Sequence, residues 1–270
     1  MIKLPKQLEK IKGQFDNTIK PFIEVKSKTV EKDIGILRSK FGGRPYISSI
    51  EDYPKDSNGK KMIPIAQINF DEVPNIEDFP KSGLLQFFIS DNDYWGMNFS
   101  DLADQSDFRV LYTEKEKLDE KKAVKRDEFQ IEVPSDFFVY KVHELFFDLK
   151  EAPITLTDFR CMIDQDYFYN ELSKEMRDFY WNKVALTSVH KIGGYSHFGQ
   201  DDPRFDKKYQ RYTVQLLQIL SDAGPNETED EYKNSIHIGK TGRGTIHFLI
   251  QPEDLKNLKF DNVLYTWEHY

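Results

Sequence analysis

Two stretches of this chain repeat one framework, and any fold has to accommodate both. Gly42-Gly43 precedes Gln67 by the spacing at which Gly193-Gly194 precedes Gln218, and Asp71 and Pro74 follow the first glutamine as Asp222 and Pro225 follow the second. One offset, 151 residues, relates all of these positions. GLLQFFI at Gly83–Ile89 then answers GTIHFLI at Gly244–Ile250, the offset having grown to 161 by an insertion in the later stretch. Finally, VLYT at Val110–Thr113 recurs unchanged at Val263–Thr266. Matches in one order predict an internal duplication spanning Gly42–Thr113 and Gly193–Thr266. Two copies are too few for a solenoid, so a pair related by a pseudo-twofold, with a groove between, is the simpler expectation.

The elements follow from periodicity. Leu4, Leu8, Ile11, Phe15 and Ile19 fall on one helical face, which Pro21 ends. Strands are predicted at 22–26, 35–41, 62–70, 83–90 and 108–113. Residues 129–133 and 137–149 read as a hairpin hinged at Pro134, and 166–186 as a helix. In the later stretch, strands are expected at 212–220, 236–238, 245–250 and 262–267, with an acidic inserted loop at 224–232 and a short helix after Pro252. Turns rather than helices join the strands, so the class is α+β, a largely antiparallel β-sheet built from an internal duplication with a few packed helices. The divisions are 1–40 (helix and strands), 41–113 (first copy), 114–192 (charged linker, hairpin and helix) and 193–270 (second copy), with the copies sharing one body.

Charge narrows the function. Lys and Arg number 38 against 46 Asp and Glu, a net of −8, which disfavours sequence-independent nucleic-acid binding and suits a neutral ligand or a basic partner. The one cysteine, Cys161, excludes an intrachain disulfide. Lysines break every apolar run of the N-terminus, and no stretch reaches the roughly 18 apolar residues of a membrane span. A cytoplasmic protein without membrane contact, monomeric or weakly dimeric, is expected.

Several catalytic patterns fail on spacing. Gly239-Lys240-Thr241 lacks the earlier glycine of a phosphate loop, since Asn234 stands there, and a strand follows it. His237 and His247, with His190 or His197, lack metalloprotease spacing, so no metal and no cofactor is expected. No serine sits in a Gly-x-Ser-x-Gly elbow. The most site-like segment runs from Gly193 to Arg204: Gly193 and Gly194 permit close backbone approach, and His197, Gln200, Asp202 and Arg204 mix donors with acceptors on a loop stiffened by Pro203. The same residue types also build loops that satisfy themselves. Gln67 and Gln218 join the candidates, or bond across the duplicated interface.

Phe41–Pro45, Pro64–Ile68, Pro80–Phe88, and His190–Tyr195 with Gln200 and Asp202, continuing through Leu216–Gln218 to Gly244 and His247–Ile250, resemble the YwqG-like family of bacterial proteins, whose domain has no known function. Ser196 departs from the proline usual after Gly-Gly-Tyr. The resemblance implies a small cytoplasmic protein, sometimes encoded near contact-dependent toxin systems, and carries over no catalytic residues. The leading expectation is a non-enzymatic binding protein for a protein partner, such as a basic toxin. The alternative is a small polar ligand binder or hydrolase using the His197–Arg204 loop.

Overall fold

A computed structural model describes residues 4–32, 34–134, 137–222, 228, 234–239 and 242–269. Pro225, most of the 224–232 loop, and Lys240 and Thr241 lie outside these residues. Among the described residues, ten strands form one antiparallel sheet: β1 (Lys20–Val30), β2 (Lys40–Phe41), β3 (Ile63–Asn69), β4 (Leu84–Ile89), β5 (Phe108–Thr113), β6 (Val142–Ala152), β7 (His190–Gly193), β8 (Val214–Leu220), β9 (Gly244–Ile250) and β10 (Val263–His269). Their spatial order is β10-β9-β8-β7-β1-β6-β2-β3-β4-β5. The long β1 and β6 pair along their whole length at the centre, Lys20 opposite Ala152 and Val30 opposite Val142. A run of four consecutive strands extends from each side of that pair.

The sheet curls until its outer strands meet, Phe108 of β5 packing its ring 5.0 Å from Tyr265 of β10. The result is a nearly closed barrel. Its interior explains why β3, β4, β8 and β9 are almost continuously apolar and buried, with a main core that runs from Ile65 and Phe87 to Phe248 and Tyr265. A second core outside the barrel joins Leu8, Ile11 and Phe15 to Ile154, Phe168 and Tyr180.

The two flanks agree in detail. β3 is bulged between Pro64 and Ala66, and β8 between Gln215 and Leu217. Lys40 stands opposite Gln67, and Lys191 opposite Gln218. Gln67 Oε1 accepts the Tyr46 amide at 2.8 Å while its Nε2 donates to Arg38 O. Gln218 Oε1 accepts the His197 amide at 3.0 Å while its Nε2 donates to Val189 O. Each glutamine satisfies the backbone of the turns beside it, a demanding position in a buried sheet. Both therefore bond within their own flank, not across an interface.

Several local expectations are corrected. The strand expected over 35–41 shrinks to two residues. Residues 35–38 form a turn instead, and the carbonyls of Ile36 and Leu37 are taken by the side-chain amides of Gln67 and Asn69. The expected 129–149 hairpin does not form: Phe137 and Phe138 fill the core, and β6 pairs with β1. The first helix divides into α1 (Lys6–Glu9) and α2 (Lys12–Asp16). The 166–186 helix divides too, leaving α3 (Lys174–Phe179) between two π-helical turns, because Leu172 is extended and the Ser173 hydroxyl caps Met176 N at 3.3 Å. Residues 236–238 lie outside the sheet. A last helix, α4 (Pro252–Lys256), leads into β10. No described helix is long and apolar enough to cross a membrane.

Candidate functional site

The Gly193–Arg204 segment folds inward. A Cβ at Gly194 (φ +68°) would lie 2.8 Å from Phe22 Cβ, and one at Gly193 2.7 Å from Ile76 Cδ1, so these glycines serve close packing on neighbouring side chains. His197 rests its ring 5.2 Å from Trp181, with Nδ1 3.3 Å from the Thr157 hydroxyl. Burial, and then the nearby Lys191, bring its pKa down to about 4, so the ring is neutral.

Asp202 and Arg204 are enclosed and committed to each other. The Asp202 carboxylate accepts Arg204 Nε at 2.9 Å and Nη2 at 2.8 Å, and Arg204 Nη2 also reaches Asp158 at 3.0 Å. Arg160 closes the cluster with a two-pronged contact on Asp158 at 2.8 and 2.7 Å. Asp202 further accepts Phe159 N at 2.9 Å, which ties the segment after β6 to this loop. The fully buried Arg204 side chain is therefore a clamp between chain segments.

Of the predicted loop residues, Gln200 alone lines the largest described cavity. Its Nε2 donates to His269 O at 2.7 Å, and its amide donates to Glu268 at 2.8 Å. The cavity, about 800 Å³, is a cleft at the barrel seam between the loop after β4 and the end of β10. Aromatic rings form its wall. Trp95 and Trp267 lie 4.7 Å apart at 34°, and Tyr94 meets Phe99 edge-on at 5.2 Å. Tyr94 and Phe99 are 55% and 65% exposed, unusual for side chains with so much apolar area.

The loop holding these rings is tightly built. Trp95 has φ +48°, a conformation a bulky residue rarely adopts. The Asn92 side chain accepts the amides of Tyr94 and Gly96, at 3.1 and 2.9 Å, and fixes the turn. Trp267 Nε1 donates to Tyr94 O at 2.7 Å and Tyr265 OH to Trp95 O at 2.9 Å, which bolts the loop to β10. Carboxylates complete the lining: Asp91, held by Lys60 at 2.5 Å, the exposed Asp93, and Glu268. Burial pushes the Glu268 carboxyl up, although the Gly199 and Gln200 amides pull the other way. No lysine or arginine is among the described residues lining the cleft.

A profile described as a domain of unknown function, DUF1963, matches residues 39–268. The chain belongs to this family. The DUF1963 match covers both flanks of the barrel and leaves out α1, α2 and the central β1. No curated protein matches the sequence.

Several other polar groups of this DUF1963 protein are engaged or enclosed. His190 accepts Leu220 N at Nδ1, 3.0 Å, so Nε2 carries the proton and faces Asp222 at 3.7 Å. Burial raises the Cys161 pKa, keeping it a thiol. His247 is fully buried with its ring 4.1 Å from Phe198, and among the described residues no group of three His, Cys, Asp or Glu could hold a metal ion. Tyr94 and Trp95 fall between the strands predicted at 83–90 and 108–113, and Trp267 ends the strand predicted at 262–267. Only the curl of the sheet brings them together.

Proposed function

We propose that this DUF1963 protein is a cytoplasmic, non-enzymatic binding protein, and that its seam cleft receives a basic segment of a protein partner. The carrying observation is the pairing of exposed aromatic faces with carboxylates in a described lining that holds no lysine or arginine. A guanidinium or ammonium group over an indole or phenol ring gains about 0.5–2 kcal/mol, most where water is excluded. Carboxylates at the rim steer such a partner and add salt sensitivity. The positive φ of Trp95 supports the same reading, since backbone strain persists where the surrounding structure enforces it, often at ligand sites.

The barrel is, in this reading, the product of a duplication. The matched bulges, the two Lys–Gln pairs and the two glutamine-to-amide bonds all fall at the offset of 151 residues and support it. We also read the chain as a YwqG-like member, on the motifs that carry the resemblance.

Calorimetric titration with an oligoarginine peptide and an oligoglutamate control tests the binding reading. Heat with the basic peptide alone, weakened by salt and lost in Trp267→Ala, is the expected result. Equal response to both peptides, or to neither, contradicts it.

A further inference from the structure

The two sides of the central β1–β6 pair are finished differently. β7 covers β1 from Phe22 to Val25. Past that point Asp222 and Asn234, which flank the insertion of the later stretch, reach over β1: Ser27 Oγ donates to Asp222 at 3.3 Å and Thr29 Oγ1 to Asn234 O at 2.7 Å. β2 covers β6 only at His143 and Glu144, and Leu145 N donates to Ser39 O at 3.3 Å. Beyond Leu145 the other flank has no corresponding insertion.

Strand alternation then determines what is open. Leu145 N points away from β1, so the N–H and C=O groups of Phe147, Leu149 and Glu151 point the same way. Among the described residues none of these three makes a backbone hydrogen bond on that side. Phe146 and Leu149 are 46% and 52% exposed. An uncovered edge carrying exposed apolar side chains is a template for another strand.

We infer that this edge joins two copies of the chain, antiparallel, about a twofold at Leu149. The charge pattern favours a second copy over an unrelated strand. With Leu149 opposite its own counterpart, Asp148 of each copy faces Lys150 of the other, twice by symmetry. Leu149 is an outward-bonding residue, so the twofold falls on a hydrogen-bonded pair, as antiparallel geometry allows. Asp148 holds Lys26 at 2.6 Å and both are well exposed, so the carboxylate keeps room for a second cation. A short edge gives a small interface, and the dimer is weak and concentration-dependent. This surface is separate from the seam cleft and does not depend on the binding proposal.

The test is sedimentation velocity over a concentration series, with amide hydrogen exchange measured at its two ends. The expected result is a monomer that becomes a dimer toward millimolar protein. The amides of Phe147, Leu149 and Glu151 gain protection on dimerisation, while those of Asp148 and Lys150, which face β1, are protected throughout. Leu149→Lys, which sets two ammonium groups at the twofold, abolishes the dimer, and its unfolding curve shows that the fold is kept. A monomer at every concentration overturns the inference. So does a dimer that Leu149→Lys leaves intact, or one in which the three outward amides gain no protection.

Discussion

Trp95 and Trp267 lie 4.7 Å apart, one on a loop of the first flank and the other on the last strand of the second. This contact closes the barrel and builds the wall of the cleft at once. In the proposed binding role, closure and binding are therefore coupled, because the same rings seal the seam and line the cleft.

Replacing Trp267 by Ala removes a partly buried ring and one hydrogen bond to the Tyr94 carbonyl. A loss of about 2–4 kcal/mol is expected, near the lower end of large-to-small core changes. Urea unfolding measures it. A variant as stable as the parent means that the seam is held elsewhere.

Asp202→Asn leaves the buried Arg204 guanidinium with less compensating charge. Breaking a buried pair costs about 3–5 kcal/mol, and the loss shows as a lower urea midpoint. Because neither side chain lines the cleft, the variant that remains folded should bind an oligoarginine peptide as the parent does. A selective loss of binding would return the His197–Arg204 loop to the centre of the account.

Acid should destabilise the fold through His143 and His197. Both titrate near 6.5 when unfolded, and burial, the largest cause, holds each at about 4 when folded. Between those values the unfolded chain binds more protons, so the contribution of these two histidines is fully present above about 6.5 and is lost as the pH drops toward 4. Unfolding free energy against pH measures the slope, and His143→Gln should flatten it. An unchanged slope in that variant contradicts the assignment.

Alkali acts through Lys191, which burial brings from 10.5 down to about 7. The unfolded chain keeps its proton across that window and the folded chain does not. Stability should climb as pH rises through it, and Lys191→Met should remove the climb. Thermal midpoints across the window decide the point.

Much of the barrel was legible because its strands are continuous apolar runs and because Gln67 and Gln218 recur in register. The central place of β1 and β6 was not. Phe137–Leu149 reads as a strand that pairs with its neighbour in sequence, whereas pairing with β1 buries Leu145 and frees Phe138 for the core. The ties of the His197–Arg204 loop to Asp158 and Arg160 were not legible, because those partners arrive from an earlier segment. The cleft was hidden for the same reason: Tyr94 and Trp267, joined by a hydrogen bond, are 173 residues apart in the sequence.

The most direct test of the cleft uses the three indoles as separate reporters. Trp95 and Trp267 wall the cleft, whereas Trp181 packs against Phe168 and His197 elsewhere. In a proton–nitrogen correlation spectrum titrated with an oligoarginine peptide, the indole signals of Trp95 and Trp267 should move in a saturable, salt-sensitive way while that of Trp181 stays fixed. If neither cleft indole moves, or if Trp181 alone responds, the cleft is not where a basic partner binds.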